Sequence, residues 1–383
     1  MRYERIPSLL AIAFAIGALF VASFMAASAL PVQDLAQYWA AAHLVKTNPY
    51  SYQLVSDFEK SGGISSNALP LVIKNPPWAI LFILPLGLFG YHVAFAVWAV
   101  LSVVVVAGCA LGAWKLYNSP PSLAPALLSL FFGPTVVLLM LGQWTVLVLL
   151  GVTLFLTMAA RQKDWYAGAS LLLVLGKPHI ALLFLLAVTL WTIQYKRWVI
   201  AVSATLALAA SNIAIIAINP HIFTQFLERT RLVVHETESY PNVGGMLYEA
   251  TGNHAMALLP QMIGIAWLLF YWWKHRQNWD WKSDGLLVLA VSVACSYYSY
   301  PYDEILALPA LIVAYAVGNR RIFLTGFLVA NLGYASYIFK LAGTFGFTYM
   351  FLWWTASAWL ITYILARSQR FSLESKAEAN ART

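Results

Sequence analysis

The sequence predicts an all-α protein that crosses a lipid bilayer many times. Hydrophobic residues make up 61% of the 383 residues and charged residues only 10%, whereas a soluble domain carries about 25% charged residues. The mean hydropathy is +0.72. So few charges cannot cover the surface of a soluble protein of this size. The composition also excludes a disordered chain and a disulfide-rich secreted domain.

Six apolar runs approach the ~20 residues that a helix needs to cross a bilayer. They are residues 6–30, 91–114, 198–219, 254–273, 321–339 and 343–366. The first run has 25 residues without a charge, which is too long for the apolar core of a signal peptide, so we expect a retained span. Residues 75–160 hold four apolar pieces, which are 78–90, the run 91–114 already named, 122–141 and 144–160, but must make an odd number of crossings. We therefore expect one piece to be re-entrant or broken at Gly142-Gln143.

Residues 1–383 are expected to form one integral membrane domain of roughly 11 to 13 transmembrane or re-entrant helices. Lys and Arg cluster in short loops and at both termini, which we place in the cytoplasm, including a tail of residues 367–383. Residues 31–74 and 220–253 carry mixed or acidic charge and are predicted to be external loops. The net charge of +8 then reflects the topology of a membrane protein and not nucleic-acid binding. We expect the protein to lie in a cell (inner) membrane, with the lipid bilayer as its partner.

Two predicted hairpins are too short for two complete crossings. Residues 165–194 and 285–317 must each leave the cytoplasmic side and return to it within 30 and 33 residues. The tips carry Gly176-Lys177-Pro178-His179 and Ser299-Tyr300-Pro301-Tyr302-Asp303. A polar, proline-broken backbone at membrane depth is tolerated only where it lines a cavity or packs in protein. The spacing therefore predicts one outward-facing pocket that contains Lys177, His179, Tyr302 and Asp303.

Lys177 is the clearest marker of a binding site in this pocket. A lysine inside the membrane costs about 2.5–3.5 kcal/mol on insertion scales, so it indicates a function by default. Together with His179, its ammonium can hold a lipid phosphate. The structural alternative is an ion pair with Asp303 or Glu304. At the other tip, Tyr302-Asp303-Glu304 adds two carboxylates, one of which either orients Lys177 or His179 or binds sugar hydroxyls. The alternative is that this tip simply emerges into water.

Asp34 is the strongest single candidate for a catalytic residue. It follows the first span, and helical spacing places it on one face with Tyr38. A carboxylate held by a helix at the outer membrane boundary can accept a proton from a sugar hydroxyl. The alternative is a helix-end charge in the headgroup zone. We expect Tyr38 and His43 to support this residue and Gln143, at the helix break, to hydrogen-bond a sugar.

Several signatures of other enzyme classes are absent from the sequence. There is no Walker A motif, no GxGxxG, no CxxC pair and no Asp-x-Asp of a soluble nucleotide-sugar site. The segment His235-Glu236-Thr237-Glu238 matches no zinc-binding spacing, so we expect no metal site and no cofactor. A donor substrate is then expected to be a lipid reached from the bilayer and not a cytosolic nucleotide.

The chain resembles glycosyltransferase family 87, the multi-pass alpha-mannosyltransferase-like proteins of the C-type glycosyltransferase fold. The resemblance runs from Asp34 to about Ala314. It rests on the order and spacing of short segments, which are Asp34-Leu35-Ala36-Gln37-Tyr38-Trp39-Ala40-Ala41-Ala42, Asn48-Pro49-Tyr50, Asn75-Pro76-Pro77-Trp78, Pro85-Leu86, Gly142-Gln143, Gly168, Gly176-Lys177-Pro178-His179 and Ser299 to Pro309. Two departures are Asn75, where an aromatic residue is expected, and Tyr302-Asp303, where many members carry a histidine.

The resemblance implies inverting transfer of a hexose, usually mannose, from a polyprenyl-phosphate sugar to a lipid or glycan acceptor on the non-cytoplasmic face, without metal. Asp34 would be the general base, and Gln143, Lys177 and His179 would line the donor pocket. In that mechanism Asp34 removes the proton of the acceptor hydroxyl as it attacks the anomeric carbon, and Lys177 stabilises the leaving phosphate. The rival hypotheses are a transporter or lipid-linked sugar flippase, which predicts an internal structural repeat, and a catalytically silent subunit.

Overall fold

The structure is a computed structural model that describes residues 17–25, 34–62, 64, 70–117, 119–233, 240–344 and 346–382. The regular elements in these residues are all helices, which account for 78% of the structure, and no strand occurs among them. The predicted all-α membrane fold is therefore confirmed. The first predicted span, 6–30, is described only over residues 17–25, which are helical.

Within the described part of the chain, five helices are long and apolar enough to cross a membrane, and one bent pair would make a sixth. The five are Tyr91–Lys115, Trp198–Ile218, His254–His275, Arg320–Leu341 and Tyr349–Ser368. They coincide with five of the six predicted apolar runs. The chain is thus a multi-pass membrane protein.

The region between residues 75 and 160 consists of short and broken helices around one long one. Two 3-10 helices, Pro77–Phe82 and Leu84–Leu88, each have a proline in their first two positions, where its missing N–H costs no hydrogen bond. After the long helix, Ala124–Leu130 and Gly133–Leu141 are bent by 58° relative to each other.

A second break, at Gly142 and Gln143, separates Gly133–Leu141 from the helix Thr145–Ala160. The backbone at Gly142 has φ +68°, a left-handed conformation that glycine adopts without strain. The predicted break at Gly142-Gln143 is therefore confirmed, and the 58° bend before it is an additional one.

Both predicted hairpins have short limbs with a 3-10 helix at the tip. The elements of the first are Asp164–Val174, Pro178–Ala181 and Leu182–Gln194, and those of the second are Asp284–Ala294, Pro301–Ala307 and Leu308–Val317. Limbs of 10 to 13 residues extend about 15–20 Å, well short of the ~30 Å hydrocarbon core. Because residues 301–307 are all buried, the broken backbone of the second tip packs inside protein.

The two segments predicted to be external loops contain helices of their own. Residues 31–74 include Leu35–Leu44 and Tyr52–Ser61, and residues 220–253 include Ile222–Val233 and Val243–Thr251. The predicted tail continues the last helix, Thr355–Arg382. Each of these segments therefore contains helix in the part that the structure describes.

One compact unit comprises the described residues within 1–104, 139–143 and 209–236. Its centre is Leu35–Leu44, in which most side chains are buried. The turn at Gly87 approaches this helix closely, since a Cβ there would lie 3.3 Å from Ala42 Cβ. The Asn219 amide donates hydrogen bonds to the carbonyls of Val45 and Thr47, at 2.9 and 3.2 Å, and so fixes the chain that follows the helix.

Glu59 is a buried carboxyl group in this unit, on the helix Tyr52–Ser61. It is 7% exposed, and its Oε1 atom has no hydrogen-bond partner among the described residues. Burial raises the pKa of this carboxyl to about 7, although a hydrogen bond from the Leu71 backbone opposes the shift. Because the folded state keeps the proton to higher pH than the unfolded state does, Glu59 lowers stability as the pH rises from about 4.5 to 7.

We expect Glu59→Gln to stabilise the protein at pH 8, by about 1–3 kcal/mol, and to have little effect near pH 4.5. The glutamine removes the ionisation that burial opposes. Thermal unfolding in detergent across this pH range measures the effect, with the exposed Asp57→Asn as control. A stability difference between wild type and Glu59→Gln that does not change with pH would show that the carboxyl does not titrate in this range.

The second compact unit comprises the described residues within 105–138, 144–208 and 237–383. In this unit the helices Thr145–Ala160 and Asp164–Val174 pack closely, because Gly151 leaves room for Leu173: a Cβ at Gly151 would lie 2.9 Å from Leu173 Cβ. Likewise, the bend at Gly133 accepts the ring of Tyr334, with which a Cβ at Gly133 would overlap.

Glu304 joins three segments of this unit from a fully buried position. Its Oε2 atom accepts hydrogen bonds from the Tyr334 hydroxyl at 2.7 Å and the Trp359 indole at 2.8 Å. Its Oε1 atom accepts one from the Thr355 hydroxyl at 2.8 Å. Since these partners lie on two other helices, Glu304 anchors the buried helix Pro301–Ala307 to both.

We expect Glu304→Leu to destabilise the protein, because the buried Trp359 indole would lose its acceptor. An unpaired buried donor costs about 1–3 kcal/mol. The hydroxyls of Tyr334 and Thr355 keep second acceptors, the carbonyls of Pro301 and Leu352, which limits the loss. The apparent Tm in detergent checks this, and Glu304→Gln, which retains an acceptor, should lose less. Equal Tm values for Glu304→Leu and wild type would contradict the anchoring role.

Candidate functional site

Asp34 lies directly before the helix Leu35–Leu44 and is half-buried. Within the described residues its carboxylate does not cap this helix. Instead, its Oδ2 atom accepts a hydrogen bond from the Gln143 side-chain amide at 2.5 Å. The Tyr38 hydroxyl donates to Gln143 Oε1 at 3.0 Å. The predicted pair of Asp34 and Tyr38 is therefore brought together, through Gln143.

The helix break brings Gln143 to Asp34. Gly142 turns the chain with positive φ and passes very close to the start of the helix Leu35–Leu44, since a Cβ at Gly142 would lie 2.8 Å from Leu35 Cβ. A side chain at position 142 would therefore clash and also strain the backbone. Both Gln143 and Tyr38 are nearly inaccessible to solvent, with exposed fractions of 2% and 1%.

His43, predicted as a supporting residue, lies elsewhere in the same unit. It lies nine positions after Asp34, which is about 14 Å along a helix. Its ring packs against Trp39 and Phe58 with centroid distances of 4.8 and 4.9 Å, and its Nδ1 atom lies 3.0 Å from the Trp39 carbonyl. The structure therefore does not bring His43 to the Asp34 carboxylate, and it places the ring in an aromatic cluster.

In the second unit, Lys177 and Asp303 form an ion pair between the two hairpin tips. The Lys177 Nζ atom lies 3.2 Å from Asp303 Oδ1, and the Lys177 and Asp303 side chains are 13% and 1% exposed. Such an ion pair was the structural alternative to phosphate binding. Asp303 Oδ2 also accepts a hydrogen bond from the Tyr300 backbone N–H at 3.1 Å, which fixes the carboxylate within its own tip.

Thr145 completes this cluster, and the sequence alone did not indicate it. Its hydroxyl donates to Asp303 Oδ1 at 2.6 Å and accepts from Lys177 Nζ at 3.1 Å. Thr145 is the first residue of the helix that follows the Gly142-Gln143 break. A hydroxyl at such a break is the one signal that could have suggested it, but threonine is common in apolar helices.

Tyr302 and His179 are the other two residues predicted for this pocket, and Tyr302 contacts Lys177. Its ring centroid lies 4.9 Å from Lys177 Nζ, a cation–π distance. The ring of His179 packs edge-on against Tyr298 at 4.8 Å, and its Nε2 atom is buried without a hydrogen-bond partner among the described residues. The structure thus gathers Lys177, Tyr302 and Asp303, and it pairs the buried Nε2 atom of His179 with none of the described residues.

Lys177 carries the positive charge that an anionic group can use in this cluster. A lysine ammonium has three donor hydrogens. It contacts the hydroxyl of Thr145, the carboxylate of Asp303 and the ring of Tyr302. An anion at this ammonium would compete with the carboxylate of Asp303.

Within the described part of the chain, no group of three or more His, Cys, Asp or Glu side chains is arranged to hold a metal ion. The segment His235-Glu236-Thr237-Glu238 lies outside the described residues.

Comparison with known proteins identifies a family. The model of glycosyltransferase family 87 matches residues 74–297, which is more than half of the chain. No curated protein and no solved structure matches the chain. The matched segment includes Gln143, Lys177 and His179. It leaves out the other candidate residues, which are Asp34, Tyr38, His43, Tyr302 and Asp303.

Proposed function

Because the chain belongs to glycosyltransferase family 87 and is a membrane glycosyltransferase, we propose that its donor is a polyprenyl-phosphate sugar. The sugar is a hexose, with mannose as the first to test, and the acceptor is a lipid or a glycan. The transfer takes place on the non-cytoplasmic face of a cell (inner) membrane, with both termini in the cytoplasm, and inverts the anomeric carbon.

The observation that carries this proposal is the ammonium of Lys177 at the tip of a short hairpin. The limbs of that hairpin are too short to reach across the bilayer, and their other residues are mostly apolar. A donor with a phosphate on a lipid chain presents its charge at the edge of the hydrocarbon region. A lysine beside apolar helices suits such a donor better than a water-soluble nucleotide sugar.

Lys177 has two tasks in the proposed reaction. It binds the donor phosphate, by exchanging part of its contact with Asp303 for the phosphate oxygens. It then stabilises the charge that grows on the phosphate as the bond to the anomeric carbon breaks. A phosphate leaving group needs no proton, so no acid is required on the donor side.

Asp34 acts as the general base. Its carboxylate accepts the proton of the acceptor hydroxyl while that oxygen forms the new bond to the anomeric carbon. In a direct displacement the entering oxygen and the leaving phosphate occupy opposite sides of that carbon, so the configuration inverts. Asp34 at a helix start, held by Gln143, fits this role because one of its two oxygens is bound in a fixed direction.

A donor panel tests the proposed function. The purified protein in lipid nanodiscs would receive mannose or glucose labelled with a radioisotope, either on polyprenyl phosphate or on a nucleotide, with a lipid and glycan extract as acceptor. We expect label in a new product from a polyprenyl-phosphate donor and none from the nucleotide sugars. Transfer from a nucleotide sugar would overturn the donor class. Absence of transfer from every donor, with movement of the lipid-linked sugar between leaflets, would favour a flippase.

A further inference from the structure

The Gln143 side-chain amide lies between two polar groups. Its hydrogen bonds to these groups allow only one of its two possible orientations. Its Nε2 atom lies 2.5 Å from Asp34 Oδ2, and its Oε1 atom lies 3.0 Å from the Tyr38 hydroxyl. An ionised carboxylate accepts hydrogen bonds but donates none. The reversed amide would place two acceptor oxygens against each other, so the NH₂ group must face Asp34.

The backbone reinforces this arrangement. Gly142 and Leu35, the chain neighbours of Gln143 and Asp34, approach so closely that a Cβ at Gly142 would lie 2.8 Å from Leu35 Cβ. The positive φ of Gly142 aims the following residue at the helix start. The amide therefore has little freedom to swing toward another group, and it is also 2% exposed.

From this geometry we infer that Gln143 is a positioning residue that aims the Asp34 carboxylate. The inference rests on the proposed function of Asp34 as the base. It gives Gln143 a different task from the sugar contact expected from the sequence, since its amide N–H and C=O already bond to Asp34 and Tyr38. By binding Oδ2, the amide fixes the plane of the carboxylate and hence the direction in which it can take a proton.

This role predicts a particular kinetic pattern. Gln143→Met keeps the length of the side chain but removes the hydrogen bonds to Asp34 and Tyr38, so the carboxylate loses the constraint that the amide places on it. We expect kcat to fall by about 10- to 100-fold, with the donor KM unchanged within about threefold. Tyr38→Phe removes the bond to Gln143 Oε1 and keeps the bond from the Gln143 amide to Asp34, so kcat should fall less while the donor KM again stays constant. A sugar-binding Gln143 would instead raise the donor KM in Gln143→Met and leave Tyr38→Phe near wild type.

Gln143→Glu supplies a second test, because it places a carboxyl group within hydrogen-bond distance of Asp34. Two carboxyl groups this close cannot both ionise, so they keep one shared proton to higher pH. We expect the acidic limb of the rate–pH profile to move to higher pH by about 1–3 pH units. A rate–pH profile equal to that of the wild type would show that position 143 does not contact the base.

An infrared readout keeps the inference testable without activity. The carbonyl band of a protonated carboxylic acid would be followed during a pH titration of Gln143→Glu in nanodiscs, with the double variant Asp34→Asn/Gln143→Glu as control. We expect the band to persist to higher pH only when both carboxyl groups are present. The same titration in both variants would overturn the inference. Failure of the proposed function would give a different result. In that case the wild-type protein would transfer no sugar, although Gln143→Glu would still show the shared proton.

Discussion

Replacing Asp34 by asparagine is expected to lower kcat for sugar transfer by about 10²- to 10⁴-fold, because the acceptor hydroxyl then loses its general base. Asparagine keeps the shape and can still accept from the Gln143 amide, so the helix start should fold normally. The donor KM should change little, since the base does not bind the donor phosphate. Steady-state transfer in nanodiscs, with the donor concentration varied, measures both constants.

Asp57→Asn is the matched control for this variant. Asp57 belongs to the same unit, lies on the helix Tyr52–Ser61, and is exposed, with its carboxylate bonded to Gln53 at 3.0 Å. The same chemical change at Asp57 should leave kcat near the wild-type value. If Asp34→Asn transfers sugar as fast as Asp57→Asn does, Asp34 is a helix-end charge and another group is the base.

Replacing Lys177 by alanine is expected to raise the donor KM by about 10- to 100-fold, since a hydrogen bond to a charged group contributes about 1.5–3 kcal/mol. The kcat should also fall, because the charge on the leaving phosphate is no longer neutralised. Titration of the donor lipid phosphate measures binding apart from chemistry. The exposed Lys163→Ala serves as control and should bind the donor as the wild type does. Unchanged donor affinity in Lys177→Ala would refute the phosphate site.

The double variant Lys177→Ala/Asp303→Asn separates binding from folding. Lys177→Ala alone leaves Asp303 as a buried, unpaired charge, which destabilises the unit that contains it. Removing that charge as well should restore the apparent Tm but not the donor affinity. If donor affinity returned together with Tm, Lys177 would serve only to neutralise Asp303, and the ion pair would be structural.

The long membrane helices could be predicted because bilayer thickness and backbone hydrogen bonding leave few alternatives. A span needs ~20 apolar residues, so hydropathy locates it. The 58° bend between Leu130 and Gly133 was not predicted, although Pro134 follows it. Its cause is tertiary: Asn331 accepts a hydrogen bond from the Gly133 N–H at 2.7 Å, and Tyr334 fills the space at Gly133. Partners about 200 positions away leave no local signal.

In the candidate sites, too, one contact could be predicted from the sequence and another could not. The meeting of Lys177 with Asp303 followed from hairpin length, because limbs of equal depth bring their tips together. The contact of Gln143 with Asp34 did not, since it depends on how a left-handed glycine turn packs against another helix. Periodicity along one helix can show which residues share a face, but it cannot show which residue from a distant segment bonds to them.

A single-turnover experiment in nanodiscs tests most directly whether Asp34 is the general base. Wild type and Asp34→Asn would first be loaded with equal amounts of labelled polyprenyl-phosphate mannose, then mixed with excess acceptor extract and sampled over time. We expect label to pass to a new product in the wild type and to stay on the bound donor in Asp34→Asn. Release of label from the donor at the same rate in both proteins would contradict it, because the chemistry would then proceed without the Asp34 carboxylate.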